Sequence, residues 1–166
     1  MDELTVYIAG VVDWPKLPLV YEAAGYTRAA AGMRERDSWE VEEFLRGDRL
    51  IYLAEADGTT VGTVALVFRG KDAGLADGVT SAHINRLHVV QAYRRRGVAA
   101  ALLAAGEAEA RRRGFRRLTI EVEDNNPPAR ALYEKLGYRY TGRGHAPDEL
   151  AMAKELAVAG AKQWQT

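Results

Sequence analysis

The stretch INRLHVVQAYRRRGVAAALL, Ile84 to Leu103, decides the reading of this chain. A buried strand stops, turns through an Arg/Gly-rich loop and opens directly into an alanine-rich helix. The first N–H groups of a helix lack partners inside it and carry a partial positive charge, so such a turn is an anion site. A pyrophosphate is the anion that suits it. Backbone N–H groups from Arg95 through Val98 and Ala99 to Ala100 are expected to surround that group. Gly97 lets the chain approach closely, and Ala99 does the same in the first helical turn. Arg94, Arg95 and Arg96 can add charge-assisted contacts to phosphates; a solvated helix entry is the plain alternative for RRRG. Arg94, Gly97 and Ala99 give R-x-x-G-x-A, which is neither a P-loop nor the G-x-G-x-x-G of a dinucleotide fold.

Toward the C-terminus, Val98 to Arg113 reads as a helix with Glu107/Arg111 and Glu109/Arg113 at i,i+4, stopped by Gly114. Leu118, Ile120 and Val122 then alternate with Thr119, Glu121 and Glu123, which is strand periodicity. Strand, loop, helix and strand make a βαβ unit with a parallel pair. The next segment, NNPPARALYEKLGY from Asn125 to Tyr138, is a helix capped by Asn126, with Pro127 at its first position and Gly137 closing it. Ala129, Leu132, Tyr133 and Leu136 fall at i, i+3, i+4 and i+7, a stripe that buries Tyr133 as core.

Toward the N-terminus, Leu50 to Glu55 and Thr60 to Phe68 are strands joined by the hairpin signal Asp57-Gly58, and Gly70 to Val79 is a loop. Leu4 to Ala9 reads as a first strand. Pro15 opens a helix through Ala24 with Leu17, Val20, Tyr21 and Ala24 on one face and Gly25 as its stop. Asp37 or Ser38 can cap a short second helix ended by Gly47. Arg28 to Arg36 between them reads as irregular and mobile, and 157–166 as a loose tail of a single domain spanning 1–166.

At 166 residues and 48% hydrophobic, the chain is long enough for one domain with a real core. Lys+Arg and Asp+Glu both number 23, so no overall basic field argues for nucleic acid. Cysteine is absent, which removes disulfides, thiolate catalysis and cysteine zinc sites. The histidines at 83, 88 and 145 share no metal-ligand spacing, so no metal is expected. No run approaches the ~20 apolar residues that span a bilayer, and the expectation is a soluble, cytoplasmic protein without a membrane partner.

The two segments together, L-x-V at Leu87 and Val89 before R-x-x-G-x-A, then N-x-x-A-x-x-L-Y-x-K-x-G-Y, resemble the hallmarks of the GCN5-related N-acetyltransferase (GNAT) superfamily. They cover about a third of the chain, in the expected order. The resemblance implies an α/β (α+β) fold in one domain. Its mixed central sheet would have six to seven strands, splayed between two central parallel strands and flanked by about four helices. It also implies a final strand at Leu150 to Leu156, where alanine, Lys and Glu favour helix while the alternation favours strand.

The implied activity is transfer of an acetyl group from acetyl-CoA (coenzyme A) to a primary amine, of a small molecule or of a protein N-terminus or lysine, by direct attack in a ternary complex. In the resemblance, Leu87, His88 and Val89 offer backbone to the pantetheine arm, and an N–H near Leu87 or His88 stabilises the developing oxyanion; one such donor is typically worth ~3 kcal/mol. Asn126 contacts the amide arm. Tyr133 matches the acid, and a phenol of pKa ~10 can donate to a thiolate whose conjugate acid lies near ~8.5. Many relatives carry a Glu where this chain has Asn85, which is no useful base. Glu121 is the leading candidate base, followed by His88, His83 and lastly His145. The missing Glu motivates an alternative, a non-catalytic acyl-CoA-binding regulatory module. Trp39, Tyr26 and the 70–79 loop are candidates for acceptor binding, with the acidic Asp72 and Asp77 compatible with a cationic amine. A homodimer through an exposed sheet edge is compatible with the pattern.

Overall fold

Asp57 and Gly58 both adopt positive φ, 53° and 72°, the backbone a two-residue hairpin needs. They join β2 (Arg49–Ala56) to β3 (Thr59–Val67) as the sequence predicts. The computed structural model describes residues 3–26 and 39–157. Around that hairpin lie β1 (Thr5–Ile8), α1 (Lys16–Ala23), a second helix α2 (39–46) and β4 (Ser81–Val89). Beyond them run α3 (Val98–Arg112), β5 (Arg117–Glu123), α4 (Pro127–Lys135), β6 (Arg139–Arg143) and β7 (Glu149–Glu155). The expected cap at Asp37 or Ser38, the stretch Arg28 to Arg36 and the tail from 158 onward lie outside the described residues.

The seven strands form one mixed sheet, ordered β1-β2-β3-β4-β5-β7-β6. All its pairings are antiparallel except β4 with β5, the parallel pair of the βαβ unit. The expected final strand at Leu150 to Leu156 forms one residue earlier, as Glu149–Glu155: β7 pairs with β5 on one side and β6 on the other, so tertiary pairing overrides helix propensity. The sequence reading missed β6, whose five residues are all exposed and so carry no alternation to read.

Each face of the sheet carries a core. Leu102, Leu103 and Ala110 of α3 pack with Ile84, Leu118 and Ile120, joined by Tyr133 and Tyr138. On the other face Leu17 and Tyr21 of α1 pack with Ile51, Leu53 and Ala65, flanked by Phe44 of α2. Gly62 of β3 is where α3 presses closest. A Cβ there would meet Leu102 and Val98 at 3.0 Å and the His88 carbonyl at 3.1 Å.

The β4–β5 ladder covers only Ser81–Ile84 against Arg117–Ile120. Beyond Ile84 the strands part, and the cause is local. Arg86 has φ 55°, and the β3–β4 register shifts between Thr63 and Ala65, which marks a bulge. Side-chain parity confirms it. Ile84 packs toward α3, Asn85 and Arg86 both turn toward α2, and Leu87 and Val89 return to the α3 side.

Candidate active site

The parted strands enclose a cavity of about 580 Å³ that crosses the sheet. On the α4 side it is lined by Ile120, Val122, Asn126, Ala129 and Tyr133. On the α2 side it is lined by Tyr26, Trp39, Glu40, Lys71, Glu121 and His145. One wall is the free edge of β4. Val90 N donates to Val61 O at 2.9 Å, and the strand period of two then turns the polar groups of His88 toward β3 and those of Leu87 and Val89 toward the gap.

Tyr133 reaches this cavity from α4, where Asn126 accepts from Ala129 N at 3.3 Å and Pro127 needs no N–H partner. The residue is 6% exposed, and burial pushes its phenol up to about 12, so it stays protonated at neutral pH.

Glu121 enters from the opposite side. Its Oε1 accepts from the backbone N–H of His145 at 2.9 Å and lies 2.6 Å from the ring Nδ1. The other ring nitrogen, Nε2, meets Asp72 of the β3–β4 loop. Hydrogen bonds to Glu121 first, then to Asp72, raise the His145 pKa above its ordinary value. Sequence spacing could not find this trio, since its members stand 24 and 73 residues from His145.

The other two histidines are poor proton acceptors. His83 is 7% exposed, lies 2.8 Å from Thr119 Oγ1 through Nδ1, and is depressed to about 4 chiefly by burial. His88 packs against the rings of Tyr21 and Tyr26, with centroids at 4.7 and 5.0 Å. Burial, aided by the charges of Arg86 and Arg94, depresses it to about 4 as well.

A buried ionic network braces the bulge. Arg49, 1% exposed, binds Glu43 through Nε at 3.0 Å and Asn85 Oδ1 through Nη1 at 3.0 Å. Glu40 holds Arg86. Asn85 is thus an acceptor for a buried cation.

The Arg/Gly turn lies past the end of β4, outside the cavity lining. Gly97 is the N-cap of α3 at φ 84°, with no side-chain cap and nothing within 4 Å of the position a Cβ would take. The amides of Val98, Ala99 and Ala100 therefore have no capping side chain, the condition for an anion site at a helix N-terminus. Arg95 is exposed at φ 59°, and the Arg96 guanidinium stacks 5.2 Å from the Tyr93 ring. Arg94 is spent differently: its Nη2 donates to Ala24 O at 2.6 Å and its Nε to Val89 O at 3.3 Å, tying α1 to the end of β4. The cavity thus gathers Leu87, His88, Glu121, Asn126 and Tyr133, while Val89 and residues 94–100 continue the surface beyond it.

The sequence model of the acetyltransferase (GNAT) family matches residues 13–138, both hallmark segments included. The chain belongs to the GNAT family. Like the family, it is an N-acetyltransferase that draws its acetyl group from acetyl-CoA. Among similar proteins is the aminoglycoside N(6′)-acetyltransferase type 1 of Salmonella typhimurium, 27% identical over 103 residues, 61% of this chain and 71% of that protein. The fold matches yncA of Salmonella typhimurium, solved with its cofactor acetyl-CoA, at TM-score 0.74 and 20% identity over 99% of this chain and all of that one. It also matches the ribosomal-protein-alanine N-acetyltransferase of Brucella melitensis, at TM-score 0.71 and 24% identity over 92% and 99% of the two chains. The uncapped α3 N-terminus and the stretch of β4 beyond Ile84 that no neighbouring strand pairs on the β5 side suit the diphosphate and the amide arm of coenzyme A.

Proposed function

We propose that this GNAT acetyltransferase acetylates a primary amine by direct attack in a ternary complex, with Tyr133 as acid and Glu121 as base. The supporting observation is the cavity that crosses the sheet with Tyr133 on its α4 side and Glu121 on the other. Bound acetyl-CoA supplies a thioester-activated acetyl group. The α3 amides from Val98 to Ala100, with Arg95 and Arg96, hold the diphosphate; the edges of Leu87 and Val89, with Asn126, align the arm. The Leu87 N–H faces the charge developing on the acetyl oxygen, Glu121 takes a proton from the attacking amine, and Tyr133 gives one to the leaving sulfur. His88 contributes packing, and Arg94 contributes the α1 tie.

Glu121 also answers the non-catalytic reading, since a carboxylate reaches the cavity from β5 although Asn85 offers none from β4. The acceptor is a cationic amine, in keeping with the carboxylates on the α2 side and with the amines named for the relatives. The arginines at 111–113 are committed to Glu107 and Glu109 at 2.6 to 2.7 Å, which disfavours nucleic acid as partner. Among the described residues no helix is long and apolar enough to cross a membrane. A cytoplasmic, single-domain enzyme, dimerising through an edge strand, is the form we propose.

The test is calorimetric titration with acetyl-CoA, followed by thiol release against kanamycin, spermidine and an alanine-terminated peptide. Saturable binding and turnover of at least one amine are expected, with Glu121→Gln and Tyr133→Phe both slow. Absence of acetyl-CoA binding overturns the reading.

A further inference from the structure

We propose that His145 and Asp72 are positioning residues that drain the acceptor's proton from Glu121 to solvent. This rests on Glu121 acting as the base, and it extends that role to two residues on separate loops.

The geometry forms a line out of the cavity. Glu121 has a side chain 15% exposed, whereas His145 is 56% and Asp72 43% exposed. The two bonds from His145 fall on Glu121 Oε1, which leaves Oε2 for the amine. A carboxylate that takes a proton in a cavity must lose it before the next turnover. Rotation of the protonated Glu121 carboxyl group carries that proton from Oε2 to Nδ1 of the neutral ring, and the resulting imidazolium sits between two carboxylates. It releases a proton from Nε2 past Asp72 to water, and solvent exchange at the exposed ring restores the starting tautomer. The amine loses one proton, water gains one, and every side chain regains its charge.

The surroundings hold the ring in this register. The turn carrying it is pinned by Gly144 N to Glu149 O at 2.8 Å and by Ala146 N to Glu149 Oε2 at 3.1 Å. A Cβ on Gly144 would stand 2.6 Å from that of Glu149, so the turn fits only with glycine there. Asp72 is fixed by the Gly74 N–H at 2.6 Å. The charged and titratable groups near the ring are Glu121 of β5, Asp72 of the β3–β4 loop, Glu149 of β7 and, on the same face of the sheet, His83 of β4. Lys71, next to Asp72, is drawn aside over the Trp39 ring at 4.7 Å.

The relay needs a neutral ring, and both carboxylates favour the charged one, so activity should rise with pH as His145 titrates. The test compares kcat/KM against pH for the wild type, Asp72→Asn, His145→Gln and Glu121→Gln, with the fastest amine of the panel above. Ring pKa values are read in parallel by NMR, with His145 assigned from the His145→Gln spectrum. We expect Asp72→Asn to move the kinetic inflection and the ring pKa down together, and His145→Gln to lower kcat/KM at least tenfold with acetyl-CoA affinity unchanged. Wild-type rates in His145→Gln, or an inflection in Asp72→Asn that stays put while the ring pKa falls, overturn the relay. A slow Glu121→Gln beside a fast His145→Gln sinks the relay alone. A fast Glu121→Gln, or no turnover of any panel amine, sinks the base assignment and the relay together.

Discussion

Glu40 Oε1 accepts two hydrogen bonds from the Arg86 guanidinium, from Nε at 3.0 Å and from Nη2 at 2.8 Å. The pair fastens α2 to the bulge that parts β4 from β5, so a side chain near the acceptor end sets backbone next to Leu87. Glu40→Gln leaves a largely buried cation short of its partner and should cost about 2 kcal/mol of stability. A shift of the Leu87 amide should also slow acetyl transfer, by up to ~100-fold for an ångström-scale misplacement. Denaturant midpoints at constant m-value and kcat on folded protein check the two effects separately. A variant of wild-type stability and rate would leave the bulge held by its neighbours alone.

Tyr133→Phe keeps the ring that packs 5.9 Å from Tyr138 and removes the proton donor. The expected result is a kcat lower by ~100-fold or more, with thermal midpoint and acetyl-CoA Kd near wild type. Loss of stability in place of rate would reduce the residue to packing.

Gly97→Ala isolates conformation from contact, because φ is 84° yet nothing lies within 4 Å of the new methyl. The strain should cost about 1 kcal/mol and loosen acetyl-CoA binding while the cores stay intact. Gly62→Ala acts in the opposite way. Its methyl meets Leu102, Val98 and a carbonyl at 3.0 to 3.1 Å, so it displaces α3 and lowers the melting temperature. Calorimetry against acetyl-CoA and thermal unfolding of both variants distinguish them.

His145 should titrate above the usual ~6.5 of a free histidine, and Glu121→Gln should bring it down. The folded state favours the charged ring, so its contribution to stability is complete below the ordinary histidine pKa. That contribution is lost as pH rises through the elevated native value. NMR titration of the ring and unfolding measured across that interval check the sign. A ring pKa at or below the free value would mean the two carboxylates do not hold it in solution.

Much of the fold was legible because its signals are local. Asp57-Gly58, the alternation of Leu118 to Glu123, the Asn126-Pro127 cap and the spacing of Arg94, Gly97 and Ala99 each act within a few residues, through φ preference, period or an orphan N–H. They fixed the hairpin, the βαβ unit, the open helix end and the placing of Tyr133 on α4. What lay beyond them was non-local. The strand at 139–143 has no buried face and exists only because β7 offers it a ladder. The sequence could show that Asn85 is no base but not what it does instead, which is to accept from Arg49, 36 residues away and buried. His145 stood last among candidate bases until the β6–β7 turn carried it between Glu121 and Asp72. Chain spacing encodes backbone conformation, whereas the company a charged side chain keeps in three dimensions is decided only when distant strands pack.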